Sequence, residues 1–77
     1  MLKIGEVSKL KNISTKALRH YDRIGLLMPR KTDSKTRYRL YNDEDIKELS
    51  KIMILKEAGF SLKYIKNLIN NGLSVQD

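Results

Sequence analysis

The chain has 77 residues, enough for one small domain, and its lack of cysteine excludes disulfides, thiolate metal sites and thiol nucleophiles. A formal net charge of +7 indicates an acidic partner, with nucleic acid as the first candidate and a merely solubilising basic surface as the alternative. The longest apolar run, residues 52–55, is too short to cross a bilayer and no signal peptide is evident, so we expect a soluble intracellular protein.

Two short helices joined by a tight turn are predicted at the start of the chain. The first helix spans residues 4–10 and points Val7 and Leu10 inward, and a three-residue turn follows with Ile13 in its corner. Asn12 suits this turn because Asn tolerates positive φ better than most residues other than Gly. Helices joined by so short a turn cross steeply, which is the helix-turn-helix arrangement.

The second helix has two differently populated faces. Ser14 is a suitable N-cap because its hydroxyl accepts a hydrogen bond from a first-turn amide, and Gly25 can adopt the left-handed conformation that ends a helix. The apolar face carries Ala17, Leu18, Tyr21 and Ile24, and the polar face carries Thr15, Lys16, Arg19, His20 and Arg23. This pattern predicts a scaffold behind the helix and a negatively charged partner in front of it.

A basic hairpin, which we call the wing (residues 30–41), is predicted next. Its basic residues are Arg30, Lys31, Lys35, Arg37 and Arg39, against the single acid Asp33. Residues 33–35 have the composition of a turn, and residues 36–41 alternate as on a β-strand. A solvated charged loop is the alternative. Two tyrosines among the arginines favour the wing, because Tyr can donate a hydrogen bond to a phosphate oxygen.

Two further helices are predicted in the second half of the chain. Asn42 caps the third helix, acids at 43–45 complement its dipole, and Gly59 ends it. Ser61 caps the fourth helix, and Asn71-Gly72 closes it. The inward-facing residues are Ile46, Leu49, Ile52 and Met53 on the third helix and Leu62, Ile65, Leu68 and Ile69 on the fourth.

The sequence contains no convincing catalytic motif. His20 is the only histidine, and neither a zinc site nor a Ser-His-Asp relay can be assembled around it. No glycine-rich phosphate-binding loop occurs. The acids at 43–45 are explained by a helix N-terminus more simply than by a metal cluster. We therefore expect no catalytic residue, no metal and no cofactor.

Four motifs occur in a fixed order along nearly the whole chain. They are I-G-E-V-S at 4–8, A-L-R-H-Y-D-R-I-G-L-L at 17–27, Y-R-L-Y-N-D-E-D at 38–45 and G-F-S-L at 59–62. Together they resemble the N-terminal DNA-binding domain of the MerR family of bacterial transcription regulators. Both the pattern and the resemblance imply a mainly α fold, a winged helix-turn-helix with four helices and a small β-hairpin wing. Residues 1–77 would form one domain, divided into a helix-turn-helix (1–25), the wing (30–41) and a helical pair (43–71).

The second helix is expected to lie in the DNA major groove. There Arg19 can reach guanine O6 and N7, Thr15 and Lys16 can reach bases or phosphates, and the wing can hold phosphates. The resemblance adds Tyr21, and also Lys63 and Tyr64 as a second wing. The predicted DNA-binding residues are Thr15, Lys16, Arg19, His20, Tyr21, Arg23, Arg37, Tyr38, Arg39, Lys63 and Tyr64. His20 stands where the family usually has Tyr, and Arg37 where it commonly has Gly.

The resemblance implies sequence-specific binding of double-stranded DNA and transcription regulation in the cytoplasm, at the nucleoid. Members of the family bind pseudo-palindromic promoter operators as dimers and distort the promoter spacer for RNA polymerase. An excisionase-like or architectural DNA-bending protein of the same fold is the alternative. The residues themselves also allow an RNA or acidic-protein partner, with Ile54 and Leu55 as the contact patch unless the fourth helix covers them.

Overall fold

Four helices and three short strands make up residues 1–71, the part of the chain that the computed structural model describes. In chain order they are β1 (Leu2–Lys3), α1 (Ile4–Lys11), α2 (Thr15–Arg23), β2 (Lys31–Thr32), β3 (Arg39–Tyr41), α3 (Asp43–Glu57) and α4 (Leu62–Asn70). Within these residues no helix has the length and apolar character that a membrane span requires. The mainly α winged helix-turn-helix that the sequence predicted is confirmed. Gly72, predicted to help close α4, lies outside the described residues.

The turn between α1 and α2 is built as the sequence indicated. Asn12 adopts the left-handed conformation with φ of 54°, and its backbone N–H and that of Ile13 both donate to the carbonyl of Ser8. The hydroxyl of Ser14 then accepts a hydrogen bond from the Ala17 amide at 3.0 Å, which caps α2. Gly25 follows the helix with φ of 76°. The caps and the glycine thus fix where α2 begins and ends.

The core draws on all four helices and on β3. Its buried apolar residues are Val7, Leu18, Tyr21, Leu26, Leu27, Tyr41, Leu49, Ile52 and Ile65. Leu18 and Tyr21 come from the predicted apolar face of α2, and Leu49 and Ile52 from that of α3. The apolar face of α2 is therefore packed, which turns its polar face outward.

The prediction that Leu10 lies in the core is wrong. Leu10 is 62% exposed rather than inward-facing. Ile4 and Val7 set the inward face of α1, and a rotation of about 100° per residue brings Lys11 back to that face while Leu10 falls about 90° away. Lys11 donates from Nζ to the Ser50 hydroxyl at 2.8 Å, so the contact with α3 at this level is polar.

The apolar surface at residues 52–55 divides by face. Ile52 is fully buried, whereas Met53 and Leu55 pack partly against the core. Ile54 is 68% exposed, so α4 does not cover it. Three of these four residues thus pack inside the fold, and only Ile54 remains exposed as a possible contact for a partner.

The wing has a longer turn than the sequence predicted. The Asp33 carboxylate accepts hydrogen bonds from the amides of Lys35 at 2.8 Å and Thr36 at 3.0 Å, and these bonds lower its pKa. Arg37 adopts a left-handed backbone with φ of 65°. The predicted strand is therefore confirmed for residues 39–41, and its predicted start at residue 36 is wrong, because the Asp33 side chain and the backbone of Arg37 keep residues 33–38 in a turn.

A third strand, β1, was not predicted because two residues carry no readable alternation. The sheet order is β1-β3-β2, and both pairings are antiparallel. The paired residues are Leu2 with Tyr41, Lys3 with Leu40, Lys31 with Leu40 and Thr32 with Arg39. Through β1, the central strand of the wing is fastened to the start of α1.

The base of the wing is also tied to α3. Asp45, predicted as a helix-dipole residue, is completely buried and accepts hydrogen bonds from the Arg30 guanidinium, from the Arg30 amide at 3.2 Å and from the Asn42 amide at 3.0 Å. The Asn42 side chain accepts in return from the Asp45 amide at 2.8 Å, which caps α3 as predicted. Sequence pattern located this acid at the helix start but gave no sign of its burial.

Candidate nucleic-acid interface

The polar face of α2 leaves its basic side chains accessible. Lys16, Arg19 and Arg23 are exposed, and Thr15 and His20 are half-buried. This distribution follows from the packing of Leu18 and the neighbouring apolar residues against the core. The outer face of α2 thus presents three long basic side chains to the solvent.

A cleft of about 660 Å³ lies between the start of α1, α2 and the wing. Its charged lining residues are the bases Lys3, Lys9, Arg19, Arg37 and Arg39 and the acids Glu6 and Asp22. Tyr38 and Tyr41 line it as well. Five cations against two acids make this a positively charged concavity, which concentrates anions. The cleft therefore brings Arg19 of α2 together with the predicted wing residues, whereas the other predicted site residues of α2 do not line it.

Arg39 joins the wing to α2 through Asp22. Its Nε and Nη2 donate to the two Asp22 carboxylate oxygens at 3.0 and 2.7 Å, and this hydrogen bonding raises the pKa of the guanidinium. Such a bidentate pair fixes orientation as well as distance. Sequence reasoning assigned Arg39 to phosphate and gave Asp22 no role, since nothing local shows that strand β3 passes beside this turn of α2.

His20 is paired with a neighbour on its own helix. Arg23 Nη2 lies 3.2 Å from His20 Nδ1. A guanidinium has only donors, so Nδ1 is the acceptor in this contact. His20 thereby holds the Arg23 side chain along the exposed face of α2.

Tyr21 belongs to the scaffold. It is 5% exposed, and burial raises the pKa of its hydroxyl. Little of its surface is left for a partner. Among the predicted DNA-binding residues of α2, Tyr21 therefore has the weakest support from its position in the fold.

Arg37 and Tyr38 are exposed on the wing and line the cleft. The left-handed backbone of Arg37 costs a side-chain-bearing residue about 1 kcal/mol relative to Gly. Tyr38 is 62% exposed and follows it directly. The wing thus presents a cation and a hydroxyl side by side, next to the Arg39 anchor.

Lys63 and Tyr64, the predicted second wing, lie at the start of α4 and are exposed. Tyr64 stacks on Phe60 with ring centroids 5.1 Å apart, so an aromatic pair marks the α3–α4 turn. Phe60 was not among the predicted site residues. Neither Lys63 nor Tyr64 lines the cleft described above, and the structure thus separates them from the site formed by α2 and the wing.

Comparison with known proteins gives consistent results. Residues 2–72 match the family described as MerR HTH family regulatory protein. The transcriptional regulator BrlR of Pseudomonas aeruginosa is 44% identical over 72 residues, which cover 94% of this chain and 27% of the relative. The chain therefore spans about a quarter of the length of that regulator.

Solved structures share the fold. The N-terminal part of the Bacillus subtilis multidrug transporter activator, MtaN, is 36% identical with a TM-score of 0.87, over 90% of this chain and 64% of that one. HiNmlR, a MerR family regulator lacking the sensor domain and bound to promoter DNA, is 34% identical with a TM-score of 0.78, over 87% and 52%. The chain thus belongs to the MerR family of helix-turn-helix regulatory proteins.

Proposed function

We propose that this chain is a DNA-binding domain of a transcription regulator, with α2 in the major groove and the wing on the phosphate backbone. The observation that carries the proposal is the basic cleft, because α2 and the wing face it together. A helix of this size fits the major groove, and flanking cations neutralise phosphates with release of counterions. That HiNmlR has the same fold and is bound to promoter DNA supports the proposal.

The exposed residues divide into two roles. Arg19 has the fork of donors that suits guanine O6 and N7, and Thr15 and Lys16 lie at the helix start where bases or phosphates come near. Arg37 and Tyr38 contact phosphates from the wing. In this assignment α2 selects the sequence, and the wing sets the position along the duplex.

The other predicted contacts take secondary roles. His20 orients Arg23 toward the backbone. Lys63 and Tyr64 contact the backbone further along the duplex, as a second wing. The division into a helix-turn-helix (1–25), a wing (30–41) and a helical pair (43–71) assigns base reading and some backbone contacts to the first part and backbone contacts alone to the other two.

The whole regulator would act as a homodimer on a promoter operator with two inverted half-sites, and through it on RNA polymerase. This chain supplies one half-site reader. Its few phosphate contacts give weak binding with a steep dependence on salt when it acts alone. Its place of action would be the cytoplasm, at the nucleoid, where promoter DNA lies.

Selection of bound duplexes from a random pool, followed by titration of the recovered duplex, tests the proposal. Arg19→Ala should weaken binding about tenfold and relax the preference at one base position, because a bidentate guanine contact is lost. Lys47→Ala removes an exposed positive charge from α3 and is the matched control, expected to change the affinity by less than about twofold. No enrichment of any duplex, or equal effects of the two variants, would contradict the proposal.

A further inference from the structure

We infer that Asp22 is a positioning residue of the DNA-binding surface, which strengthens the binding of a polyanion although it is itself an acid. It acts through Arg39, by fixing the wing beside α2. The inference rests on the proposed function. It assigns a role to a residue that sequence reasoning left out, and it changes the role of Arg39 from phosphate contact to anchor.

Asp22 and Arg39 form a bidentate ion pair, which we call the clamp. Both carboxylate oxygens of Asp22 and two nitrogens of Arg39 take part, at 2.7 and 3.0 Å, and the partners are 17 positions apart along the chain. Among residues 1–71 these are the side-chain hydrogen bonds that join α2 to the wing. Strand β3 pairs with β1 and β2 and packs on α1 and α3, so the pair adds the direct link to the recognition helix.

The clamp lies next to the phosphate-contact residues. Tyr38 directly precedes Arg39, and Arg37 is one residue further away. Residues 33–38 form a turn at the end of strands only two and three residues long. Hydrogen bonds of Asp33 hold the shape of the turn itself, so the fixed point at Arg39, directly after the turn, sets where Arg37 and Tyr38 lie relative to α2. A surface arranged before binding loses less conformational entropy when DNA binds.

Electrostatics alone predicts the opposite effect of Asp22. Its side chain is 30% exposed and lines the cleft, where a carboxylate repels approaching phosphates. Its removal should then tighten binding of DNA. The two explanations therefore differ in the sign of the effect, and a single isosteric substitution separates them.

Asp22→Asn is the decisive variant. It keeps the shape of the side chain, removes the charge and weakens the bidentate bond. We expect the affinity for the selected duplex to fall about fivefold or more, even though the protein becomes more positive. Asp22 lies in the last turn of α2, where a negative charge opposes the helix dipole, so the substitution does not threaten the helix. Circular dichroism checks that the fold is retained.

Asp43→Asn is the matched control, since Asp43 is an exposed acid on α3 outside the cleft. It should leave the affinity unchanged or raise it slightly. Arg39→Lys keeps the charge but not the fork, so it should weaken binding if Arg39 is an anchor and leave binding unchanged if it is a point charge on phosphate. The exchange Asp22→Arg with Arg39→Asp should recover part of the loss caused by Asp22→Arg alone.

The outcomes separate the inference from the proposed function. A wild-type chain that binds no duplex contradicts the proposed function. A wild-type chain that binds, together with an Asp22→Asn variant of equal or higher affinity, contradicts the inference alone. Equal affinities of Arg39→Lys and wild type contradict it as well. Weaker binding of Asp22→Asn and Arg39→Lys, with Asp43→Asn unchanged, supports it.

Discussion

Two aspartate–arginine pairs tie the wing to helices, and they differ in burial and in what they hold. At the base of the wing, Arg30 bonds to Asp45; the Arg30 side chain is 53% exposed, but that of Asp45 has no exposed surface. Further along, Arg39 bonds to Asp22, and both side chains are partly exposed. The pair with the buried acid secures the junction of the wing with α3, and the exposed pair joins the wing to α2. We therefore expect stability to depend mainly on the first pair and DNA binding on the second.

Loss of the Arg30–Asp45 pair should have the largest effect on stability. Asp45→Ala removes a completely buried side chain and leaves the backbone amides of Arg30 and Asn42 without their acceptor, so the free energy of unfolding should fall by about 2 kcal/mol. Urea unfolding measures it. Asp43→Ala in the same helical turn is the control and should change the value by less than about 0.5 kcal/mol. Equal losses in the two variants would show that the contribution of Asp45 to stability does not come from its burial and its hydrogen bonds.

A substitution in the backbone turn of the wing should raise the stability instead of lowering it. Arg37→Gly should raise the free energy of unfolding by about 1 kcal/mol, because Gly adopts the left-handed conformation without steric cost. The same variant should bind DNA more weakly, since it loses a phosphate contact. Arg37→Asn, which tolerates the conformation but has no charge, separates the two effects. A variant that is more stable and binds equally well would remove Arg37 from the interface.

The exposed pair should contribute little to stability. Asp22→Asn should change the free energy of unfolding by no more than about 0.5 kcal/mol, as is usual for partly exposed ion pairs. Combined with a fivefold loss of DNA affinity, this small change would show that the pair contributes to DNA binding rather than to stability. If Asp22→Asn destabilised the chain as much as Asp45→Ala, the contrast between the two pairs would be lost.

Acid should loosen the turn of the wing by protonating Asp33. Backbone hydrogen bonds lower the pKa of Asp33 in the folded chain, so its carboxylate stabilises the turn above the unfolded-state pKa, and that stabilisation is lost as pH falls through the folded pKa. Amide signals of Lys35 and Thr36, followed by NMR across this acidic range, should titrate in wild type. Their titration should disappear in Asp33→Asn, and its persistence would assign it to another group.

Local signals in the sequence were sufficient for the helices. Ser14, Asn42 and Ser61 each accept the hydrogen bond of an N-cap, and each was predicted because a capping residue acts on amides two or three positions away. Gly25 and Gly59 adopt positive φ where the helices were predicted to end. These features depend on neighbours in the chain and can therefore be read from it.

Features that depend on distant residues were missed. The pattern placed Leu10 in the core, but the position of α3 gave that level to Lys11 and Ser50. The Asp22–Arg39 pair and the burial of Asp45 both depend on where the wing rests, which no local motif encodes. Charge composition indicated a basic surface, whereas the tertiary fold decided which cations face the cleft and which are bound to acids.

An NMR titration of the labelled chain with the selected duplex tests the central claim most directly. We expect the largest shift changes at the amides of Thr15 to Arg23 and of residues 33–38, with small changes around Ile54 on α3. That result would show α2 and the wing binding DNA together. Changes centred on Ile54, with α2 and the wing unaffected, would contradict the account and indicate a partner on the other face.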